Sequence, residues 1–403
     1  MMRLFINGSA ASAGGGLTYL RNVIPQLAAR DDIEASVLLA PALRQEFGKF
    51  SNLSFLELPG GYGLASRLWH EHMSLPNLIR RSGADVLISA GNFALRRAPV
   101  PQILLSRNSL YLSRDFLCDL RARGEYALWL NTRVKAFLAG QSIHWADATI
   151  APSQAFAGEL SRWTGVNVAA IPHGFDRSAF FSDEGRLPAD VEQKLEGSQG
   201  CLRLLFVSHY NYYRNFETLF RAIPLLRAYT ERPIRLFLTC SLRPGENPGV
   251  YRTEKAAALV KYLGIADCVV ELGAIPYRSL HHLYRSCHVY ISPAYAESFA
   301  HPLVEAMSCG LPVVASDLAV HREICGPAAL YFERFSVPDL VKQLTRVAHS
   351  EALRAEMAEL GRGRSRDFSW ANHVNQLLQV AATLVTRRAA VPIPQVGGQL
   401  RAS

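Results

Sequence analysis

Two glutamates, Glu297 and Glu305, stand eight positions apart in a stretch that is otherwise small and apolar. Phe299, Ala300 and Leu303 between them predict a buried surround, in which carboxylates are uncommon unless they are paired. We expect the two carboxylates to accept hydrogen bonds from hydroxyl groups on either side of a bound phosphate. The alternative is that both are solvated residues of a loop and a helix surface.

The elements predicted around this pair are a strand, a loop, a helix and a second strand. His288–Ser292 has the apolar, β-branched pattern of a short buried strand, and Pro312–Ala315 has that of the next one. Pro302 and Gly310 bracket a helix over Leu303–Cys309, because proline favours the first helical position and glycine the position past the end. Ligands of open α/β sheets bind beyond the carboxyl ends of strands, and helix N-termini favour phosphate. The pattern therefore predicts a phosphate site at this loop.

A second polar loop, residues 208–215, follows the strand predicted over Leu202–Val207. Its Arg214 could neutralise a diphosphate, since a guanidinium binds phosphate oxygens in a bidentate manner. A single loop arginine is more often a surface residue. The tyrosines around Arg214 favour a partly closed site.

A glycine-rich segment, residues 11–16, joins the strand predicted over Arg3–Asn7 to the helix predicted over Leu17–Ala28. It is not the G-x-G-x-x-G dinucleotide fingerprint. Its three adjacent glycines, ending in Gly15 and Gly16, permit close approach of a phosphate or a sugar. An ordinary tight turn remains an equal alternative.

The whole chain of 403 residues has the size and rhythm of two α/β domains. Strands alternate with helices in both halves, which predicts a doubly wound parallel sheet in each. Ile171–Asp176 contains proline and glycine without a period and reads as the connector. We therefore expect one domain over residues 1–172 and a second over residues 173–369.

Composition narrows the class of partner. The net charge of +9 suits anionic partners, but the arginines are dispersed and no nucleic-acid module appears, so nucleic acid is not expected.

Seven scattered cysteines without C-x-x-C predict free thiols in a reducing cytoplasm, with neither disulfides nor a bound metal. The longest apolar runs are too short to span a membrane, and the N-terminus does not read as a signal peptide.

The stretch Leu120–Trp145 mixes basic residues with large apolar ones. Such a helix suits the anionic inner face of a membrane, which would make the protein peripheral there. Packing of the helix on its own sheet is an equal alternative.

The glutamate pair and its surroundings resemble the E-x7-E motif of the retaining glycosyltransferases of family four, which have the GT-B fold. Further stretches match in the same order: Ala146–Ser153, Ile171–Asp176, Glu323–Tyr331 and Phe368–Trp370. The resemblance implies two Rossmann-like domains facing across a cleft, an acceptor-binding one over 1–172 and a donor-binding one over 173–369. It also implies a helix over 370–387 that returns to the first domain, and we expect a disordered tail over 388–403.

The resemblance also implies a role for each motif residue on the donor side. Glu305 would hold the ribose hydroxyls, and Glu297 would contact the transferred sugar. Backbone amides would bind the diphosphate, and Arg214 would stabilise the leaving charge; with Glu297 it forms the expected catalytic set. The amides belong to Ser298, Phe299 and Ala300, while Gly15 and Gly16 would close on the donor or the acceptor from the other domain.

Some positions depart from the family pattern. Arg214 replaces the usual lysine and keeps its charge, whereas His209 replaces the arginine of the phosphate clamp and weakens it or makes it sensitive to pH. Ala300 replaces a glycine and disfavours a positive φ. No acceptor-side histidine is evident, and Arg107 and Asn108 occupy about its place.

The function implied is that of a retaining, metal-independent hexosyltransferase with a nucleotide sugar as co-substrate and no cofactor. The donor would be GDP-linked or UDP-linked, GDP-mannose among the candidates, and the acceptor a saccharide or a lipid-linked sugar in polysaccharide or glycoconjugate synthesis. Two alternatives stay open. One is a nucleotide-sugar epimerase on the same fold, although no carboxylates near C2 of the sugar are marked; the other is a non-catalytic nucleotide-sugar-binding subunit, for which His209 is the hint.

Overall fold

The computed structural model describes residues 1–9, 15–57, 73–182, 185–247 and 249–390. Contacts between residues divide the chain into two compact units. Within the described residues, the first unit holds residues 1–106 and 138–150 and those from 374 onward, and the second holds residues 107–137 and 151–373.

The first sheet has seven strands in the order β3-β2-β1-β4-β5-β6-β7, and the pairs among β1 to β6 are parallel. Its strands are β1 Met2–Asn7, β2 Ile33–Leu39, β3 Leu53–Glu57, β4 Val86–Ser89, β5 Gln102–Leu105, β6 Ala148–Ala151 and β7 Ala169–Ala170. The central strands β4 and β5 are buried at every position, as expected when helices cover both faces of a parallel sheet.

The second sheet has six parallel strands in the order β10-β9-β8-β11-β12-β13. Its strands are β8 Leu202–Phe206, β9 Ile234–Leu238, β10 Val269–Glu271, β11 Val289–Ser292, β12 Val313–Ser316 and β13 Ala329–Phe332. Both sheets repeat the order 3-2-1-4-5-6 of doubly wound nucleotide-binding folds, so the prediction of two Rossmann-like domains is confirmed.

The helices alternate with these strands along the chain. They are α1 Gly15–Ala28, α2 Pro41–Arg44, α3 Leu75–Ser82, α4 Arg114–Ala122, α5 Tyr126–Trp145, α6 Gln154–Thr164, α7 Arg177–Phe180, α8 Ala189–Glu196, α9 Phe216–Arg227, α10 Glu254–Tyr262, α11 Leu280–Arg285, α12 His301–Ser308, α13 Ala319–Cys325, α14 Val337–His349, α15 Glu351–Ser365 and α16 Trp370–Ala390. Short 3₁₀ turns cover 109–111, 212–214, 277–279 and 326–328.

Several predicted elements differ from the structure in their ends. Helix α12 begins at His301, so Pro302 is the second helical residue and not the first. The basic stretch Leu120–Trp145 belongs to two helices, α4 and α5, which Gly124 separates with a left-handed φ of 77°. The sequence also did not predict α7 and α8. Helix α7 has only four residues, and α8 lies within residues 181–200, which lack a strong period.

The C-terminal helix runs to Ala390, past the expected end at 387. The rest of the predicted tail, 391–403, lies outside the described residues, as does Gly14. The assignment of 1–172 to the acceptor and 173–369 to the donor stays a prediction.

Candidate functional site

The switch point of the second sheet brings two predicted site loops side by side. Strands β8 and β11 are hydrogen-bonded neighbours, although residues 207–288 separate them in sequence. Arg214 lies in the loop after β8, and Glu297 lies in the loop after β11. Because both loops leave the carboxyl ends of adjacent parallel strands, they meet where such folds bind ligands.

Arg214 and Glu297 form a largely buried ion pair through Nη1 and Oε2, with 19% and 11% of their side-chain surfaces exposed. Burial tends to raise the pKa of Glu297, but the Arg214 charge, His321 and the hydrogen bonds from Ser298 and Arg214 together outweigh it, so the carboxyl pKa lies below its ordinary value. Burial likewise tends to lower the pKa of Arg214, but the charge and hydrogen bond of Glu297 together with Tyr213 and Tyr290 more than offset it, so this pKa is raised. Both side chains are therefore charged, and they form an ion pair at the switch point that is largely shielded from water.

Part of the Arg214 side chain keeps unused hydrogen-bonding capacity. Its buried Nε has no hydrogen-bond partner among the described residues. A buried donor without a partner costs free energy, typically about 1–3 kcal/mol. An anionic ligand at this position would remove that cost.

The turn after Glu297 carries the amides expected to meet a diphosphate. The amide of Ser298 donates to Glu297 Oε1 at 3.1 Å, and the Ser298 hydroxyl donates to the carbonyl of Arg107 at 2.8 Å. The amides of Phe299 and Ala300 make no hydrogen bond to any described residue. They precede α12, in whose first turn Pro302 has no amide hydrogen and the amide of Leu303 donates to the carbonyl of Ala300 at 3.1 Å. The amides of Phe299 and Ala300 are therefore the groups of this turn that are suited to an anion.

Ala300 adopts the left-handed conformation, with φ of 66° and ψ of 66°. Alanine does not favour this conformation, which usually costs a residue with a Cβ about 1–2 kcal/mol. The substitution of the family glycine therefore did not remove the positive φ. The backbone of the turn accepts strain at this position instead.

Glu305 lies on α12 with 6% of its surface exposed. The hydroxyl of Tyr284, on α11, donates to its Oε2 at 2.9 Å. Burial raises the pKa of Glu305 to about 7, and the Tyr284 hydrogen bond offsets only part of this rise. Burial therefore favours the protonated form of this carboxyl group.

Two further residues of this site were not recognised in the sequence. Tyr290, on β11, lies within electrostatic range of Arg214, Glu305 and Glu297. His321, on α13, is fully buried and donates from Nδ1 to the carbonyl of Ser316 at 2.9 Å, while its Nε2 has no partner in the described part of the chain. The sequence could have indicated His321, because this histidine lies five residues past the end of an apolar strand. No feature of the sequence distinguished Tyr290 from a tyrosine of the hydrophobic core.

His321 also contributes to the electrostatics around Glu297. Burial holds its pKa below the ordinary value, although the Ser316 carbonyl and the Glu297 carboxylate act to raise it. The imidazole is therefore neutral at pH 7.

Other predicted residues lie apart from this cluster. His209 is exposed, and no contact joins its side chain to Arg214, Glu297 or Glu305. Its carbonyl accepts hydrogen bonds from Ser208 and Asn211. The clamp role of His209 stays a prediction.

The residues assigned to the acceptor side belong by contacts to the second unit. Arg107 presents its carbonyl to Ser298, and the Asn108 side chain accepts from the amide of Leu110 at 3.1 Å, which caps a 3₁₀ turn. Gly15 and Gly16 open α1 in the first unit. Their ligand contacts stay predictions.

The described residues contain no group of three or more histidine, cysteine, aspartate or glutamate side chains arranged to hold a metal ion. None of the described helices combines the length and the apolarity that crossing a membrane requires.

Two family models match this chain. Residues 13–179 match the model described as Glycosyltransferase Family 4, and residues 192–364 match the one described as Glycosyl transferases group 1. The chain therefore carries both domains of a family 4 type glycosyltransferase, which confirms the family indicated by the E-x7-E motif.

The curated relatives include mannosyltransferases. The O-antigen chain mannosyltransferase B of Escherichia coli is 30% identical over 107 residues, which cover 27% of this chain and 28% of that protein. The MMP alpha-(1->4)-mannosyltransferase of Mycolicibacterium hassiacum is 30% identical over 224 residues, 55% of this chain and 49% of the relative. The chain thus matches half or less of the length of each.

Solved structures share the fold over nearly the whole chain. Sucrose-phosphate synthase from Thermosynechococcus elongatus superposes with a TM-score of 0.75 at 18% identity, covering 96% of this chain and 100% of that structure. Anabaena HepE in complex with UDP-glucose superposes with a TM-score of 0.70 at 17% identity, covering 95% and 100%. The GT-B fold expected from the sequence is confirmed.

Proposed function

We propose that this protein is a retaining hexosyltransferase that moves a sugar from a nucleotide sugar to a saccharide or a lipid-linked acceptor in glycoconjugate synthesis. The observation that carries the proposal is the buried Arg214–Glu297 pair at the switch point of the second sheet, followed by the buried Glu305 on α12. A cation, two carboxylates and the two free amides of Phe299 and Ala300 match the groups of a nucleoside diphosphate sugar: the diphosphate is anionic, and the ribose and hexose are rich in hydroxyls.

The chemistry follows from a change of partners when the donor binds. The diphosphate takes the guanidinium of Arg214 and the amides of Phe299 and Ala300, and Glu297 then accepts from hydroxyls of the transferred sugar. The bond between C1 and the diphosphate oxygen breaks while the acceptor oxygen bonds to C1 from the same face. The acceptor proton passes to the departing phosphate oxygen, whose charge Arg214 stabilises. No protein base and no metal are required.

Glu305 is suited to the ribose. A carboxylate that accepts from two adjacent hydroxyls must be ionised. Ribose hydroxyls that donate to Glu305 would lower its pKa from about 7, so donor binding and ionisation of Glu305 would reinforce each other.

The donor is proposed to be GDP-linked or UDP-linked, with GDP-mannose first to test because both relatives named above are mannosyltransferases. A thermal-shift series with GDP, UDP and ADP separates the bases, since a ligand stabilises the folded state by mass action. A shift with none of the three at millimolar concentration would contradict a nucleotide-binding site.

The catalytic proposal is tested with Glu305→Gln in an assay of sugar transfer and donor hydrolysis. The matched control is Glu356→Gln, since Glu356 is an exposed glutamate on α15. We expect the first variant to lose at least about 10²-fold in kcat/KM and the control to keep full activity. Equal turnover of the two variants would remove Glu305 from the site.

The two alternatives give different outcomes in the same assay. An epimerase would convert the nucleotide sugar without an acceptor. A non-catalytic subunit would bind the nucleotide with no multiple turnover, and the exposed position of His209 is the one observation in its favour.

A contact with the anionic inner face of a membrane is proposed from α5. Tyr126, Leu130, Val134 and Phe137 lie on one face of this helix and are 65%, 58%, 51% and 65% exposed. Arg133 beside them is exposed as well. Apolar side chains flanked by cations suit an anionic lipid surface, where the acceptor would be anchored. The seven free cysteines fit the reducing cytoplasm in which we place the reaction.

A further inference from the structure

Three histidines from distant stretches meet next to the turn 298–300. His173 lies in the connector after β7, His301 is the first residue of α12, and His373 lies on α16. The ring of His173 is 5.3 Å from that of His301 and 5.6 Å from that of His373. Trp370 and Phe299 complete the cluster at 5.3 Å and 5.2 Å from His173.

The central contact is between two imidazoles. His173 Nδ1 lies 3.2 Å from His301 Nε2. A hydrogen bond between two imidazole nitrogens needs a proton on one and a lone pair on the other, so it exists only while at least one ring is neutral. Burial lowers the pKa of both rings, that of His301 to about 4, which keeps them neutral at pH 7.

His173 is itself held by a close-packed backbone. A Cβ added to Gly174 would lie 2.0 Å from the amide nitrogen of Trp370, so the connector touches the start of α16 directly. His373 Nδ1 donates to the carbonyl of Pro172 at 2.9 Å, and the amide of Phe175 donates to the carbonyl of Phe368 at 3.3 Å. The backbone around His173 is therefore closely packed, and this packing limits where the imidazole ring can lie.

His301 transfers this restraint to the site. It follows Ala300, whose left-handed backbone is strained, and it directly precedes Pro302. The Phe299 ring packs 4.8 Å from the His301 ring on the other side of Ala300. Holding the His301 ring thus limits the backbone dihedrals that aim the amides of Phe299 and Ala300.

We propose that His173 and His301 are positioning residues whose hydrogen bond orients the turn 298–300 toward the diphosphate of the donor. The inference rests on the proposed function. No hydrogen bond or ion pair joins either ring to Arg214, Glu297 or Glu305, although the Glu297 charge acts on His301 from a distance. The pair therefore acts through the backbone of the turn and not on the reacting atoms.

The experiment compares binding of a nucleoside diphosphate with that of its nucleoside, using GDP with guanosine and UDP with uridine. The variants are His301→Leu, which deletes the bond, and His301→Gln, which keeps an amide nitrogen near the Nε2 position. His173→Leu deletes the same bond from the other side. Calorimetry gives both affinities, and thermal unfolding of each variant confirms that it is folded.

The expected result is that either leucine variant weakens diphosphate binding about tenfold, the effect of losing one typical hydrogen bond, and leaves nucleoside binding unchanged. His301→Gln should recover most of the loss. The double leucine variant should bind no more weakly than either single variant, because both remove the same interaction.

Other outcomes overturn the inference. Equal losses for the nucleoside and the diphosphate, or additive losses in the double variant, would show general damage to the fold and not positioning of the turn. If one leucine variant does not fold, the other leucine variant and His301→Gln decide the same comparison. Wild-type protein that binds neither nucleotide would refute the proposed function and this inference together, whereas unchanged binding in the variants would refute the inference alone.

Discussion

The hydroxyl of Tyr284 donates a 2.9 Å hydrogen bond to the carboxyl group of Glu305, whose pKa burial raises to about 7. The two residues lie on consecutive helices of the described chain, α11 and α12. Glu305 must be ionised in order to bind hydroxyl groups, and its pKa lies close to neutral pH. The hydrogen bond from the Tyr284 phenol lowers this pKa and so favours the ionised form.

Removing that phenol should shift the pH dependence of donor binding. Tyr284→Phe deletes a hydrogen bond that lowers the pKa of Glu305, so the pKa should rise further. Binding of GDP or UDP, which needs the carboxylate, should then require a higher pH. Calorimetric titrations from pH 6 to pH 9 should show the midpoint displaced upward, and an unchanged midpoint would contradict the assigned link.

Glu305→Gln should stabilise the protein while it removes activity. The folded pKa is raised to about 7 from an ordinary 4.5, so the folded state keeps a proton that the unfolded chain loses. Stability from this group is present below pH 4.5 and is lost as the pH rises through 7. At pH 9 the glutamine variant should unfold with a free energy about 3 kcal/mol larger than the wild type, as measured with urea. Glu356→Gln should change nothing.

Breaking the Arg214–Glu297 pair should destabilise more than removing both charges. Arg214→Gln leaves Glu297 buried without its cation and should lower the free energy of unfolding by about 3 kcal/mol. The double variant with Glu297→Gln should recover much of this loss but no activity. Arg227→Gln, which breaks the exposed pair with Asp267, should cost less than about 1 kcal/mol. Similar losses in the two arginine variants would mean that the first pair is solvated.

The histidine cluster should make the fold sensitive to acid. Unfolded histidines bind protons below about pH 6.5, whereas burial holds the pKa of His301 and His373 at about 4, with the charge of Arg107 lowering both and that of Glu297 raising the former. The unfolded state therefore binds more protons between pH 6.5 and 4, and stability falls as the pH falls through this window. Each ring should contribute about 3 kcal/mol.

The variant His373→Asn isolates this contribution, because an asparagine amide can still donate to the carbonyl of Pro172. Urea unfolding at pH 7.5, 5.5 and 4.5 should show a shallower loss of stability in the variant. Parallel curves for variant and wild type would mean that His373 is solvated.

Ala300→Gly should relieve strain in the turn. The left-handed φ of 66° costs alanine about 1–2 kcal/mol, and glycine would remove this cost. Glycine also gives the unfolded chain more conformational freedom, which offsets part of the gain in stability. We expect a net gain of about 0.5–1 kcal/mol in the free energy of unfolding. The control Ala355→Gly, at an exposed position inside α15, should lose about 1 kcal/mol. If both variants lowered the free energy of unfolding, Ala300 would not be strained in the wild type.

The exposed face of α5 should bind anionic lipid. Leu130→Glu should reduce flotation with vesicles containing phosphatidylglycerol at low salt and leave turnover of a soluble acceptor unchanged. The control Tyr262→Glu replaces an aromatic residue that is 87% exposed on α10 and should float like the wild type. Equal flotation of both variants would remove this face from the proposal.

Much of the fold could be predicted from the sequence because parallel strands buried on both faces leave a continuous apolar signature. The strands predicted over Arg3–Asn7, Leu202–Val207 and His288–Ser292 are found at Met2–Asn7, Leu202–Phe206 and Val289–Ser292, so each end is correct to within one residue. The pattern was weaker where burial is partial. Residues 189–196 form a helix that shows only two buried positions, so no clear period marked it.

For the site, the sequence by itself determined the motif: Arg214 and Glu297 lie in loops that follow apolar strands, Glu305 lies on the helix that follows the second of these loops, and local pattern and residue type reveal such positions. Tertiary structure alone decided how they are paired. The ion pair of Arg214 with Glu297, the phenol of Tyr284 on Glu305 and the contact of His173 with His301 join residues separated by 21 to 128 positions. Such pairings depend on which strands become neighbours and on how far each side chain is removed from water. The spacing of residues along the chain predicts neither the strand neighbours nor the burial of a side chain. Both determine the pKa values on which the proposed chemistry depends.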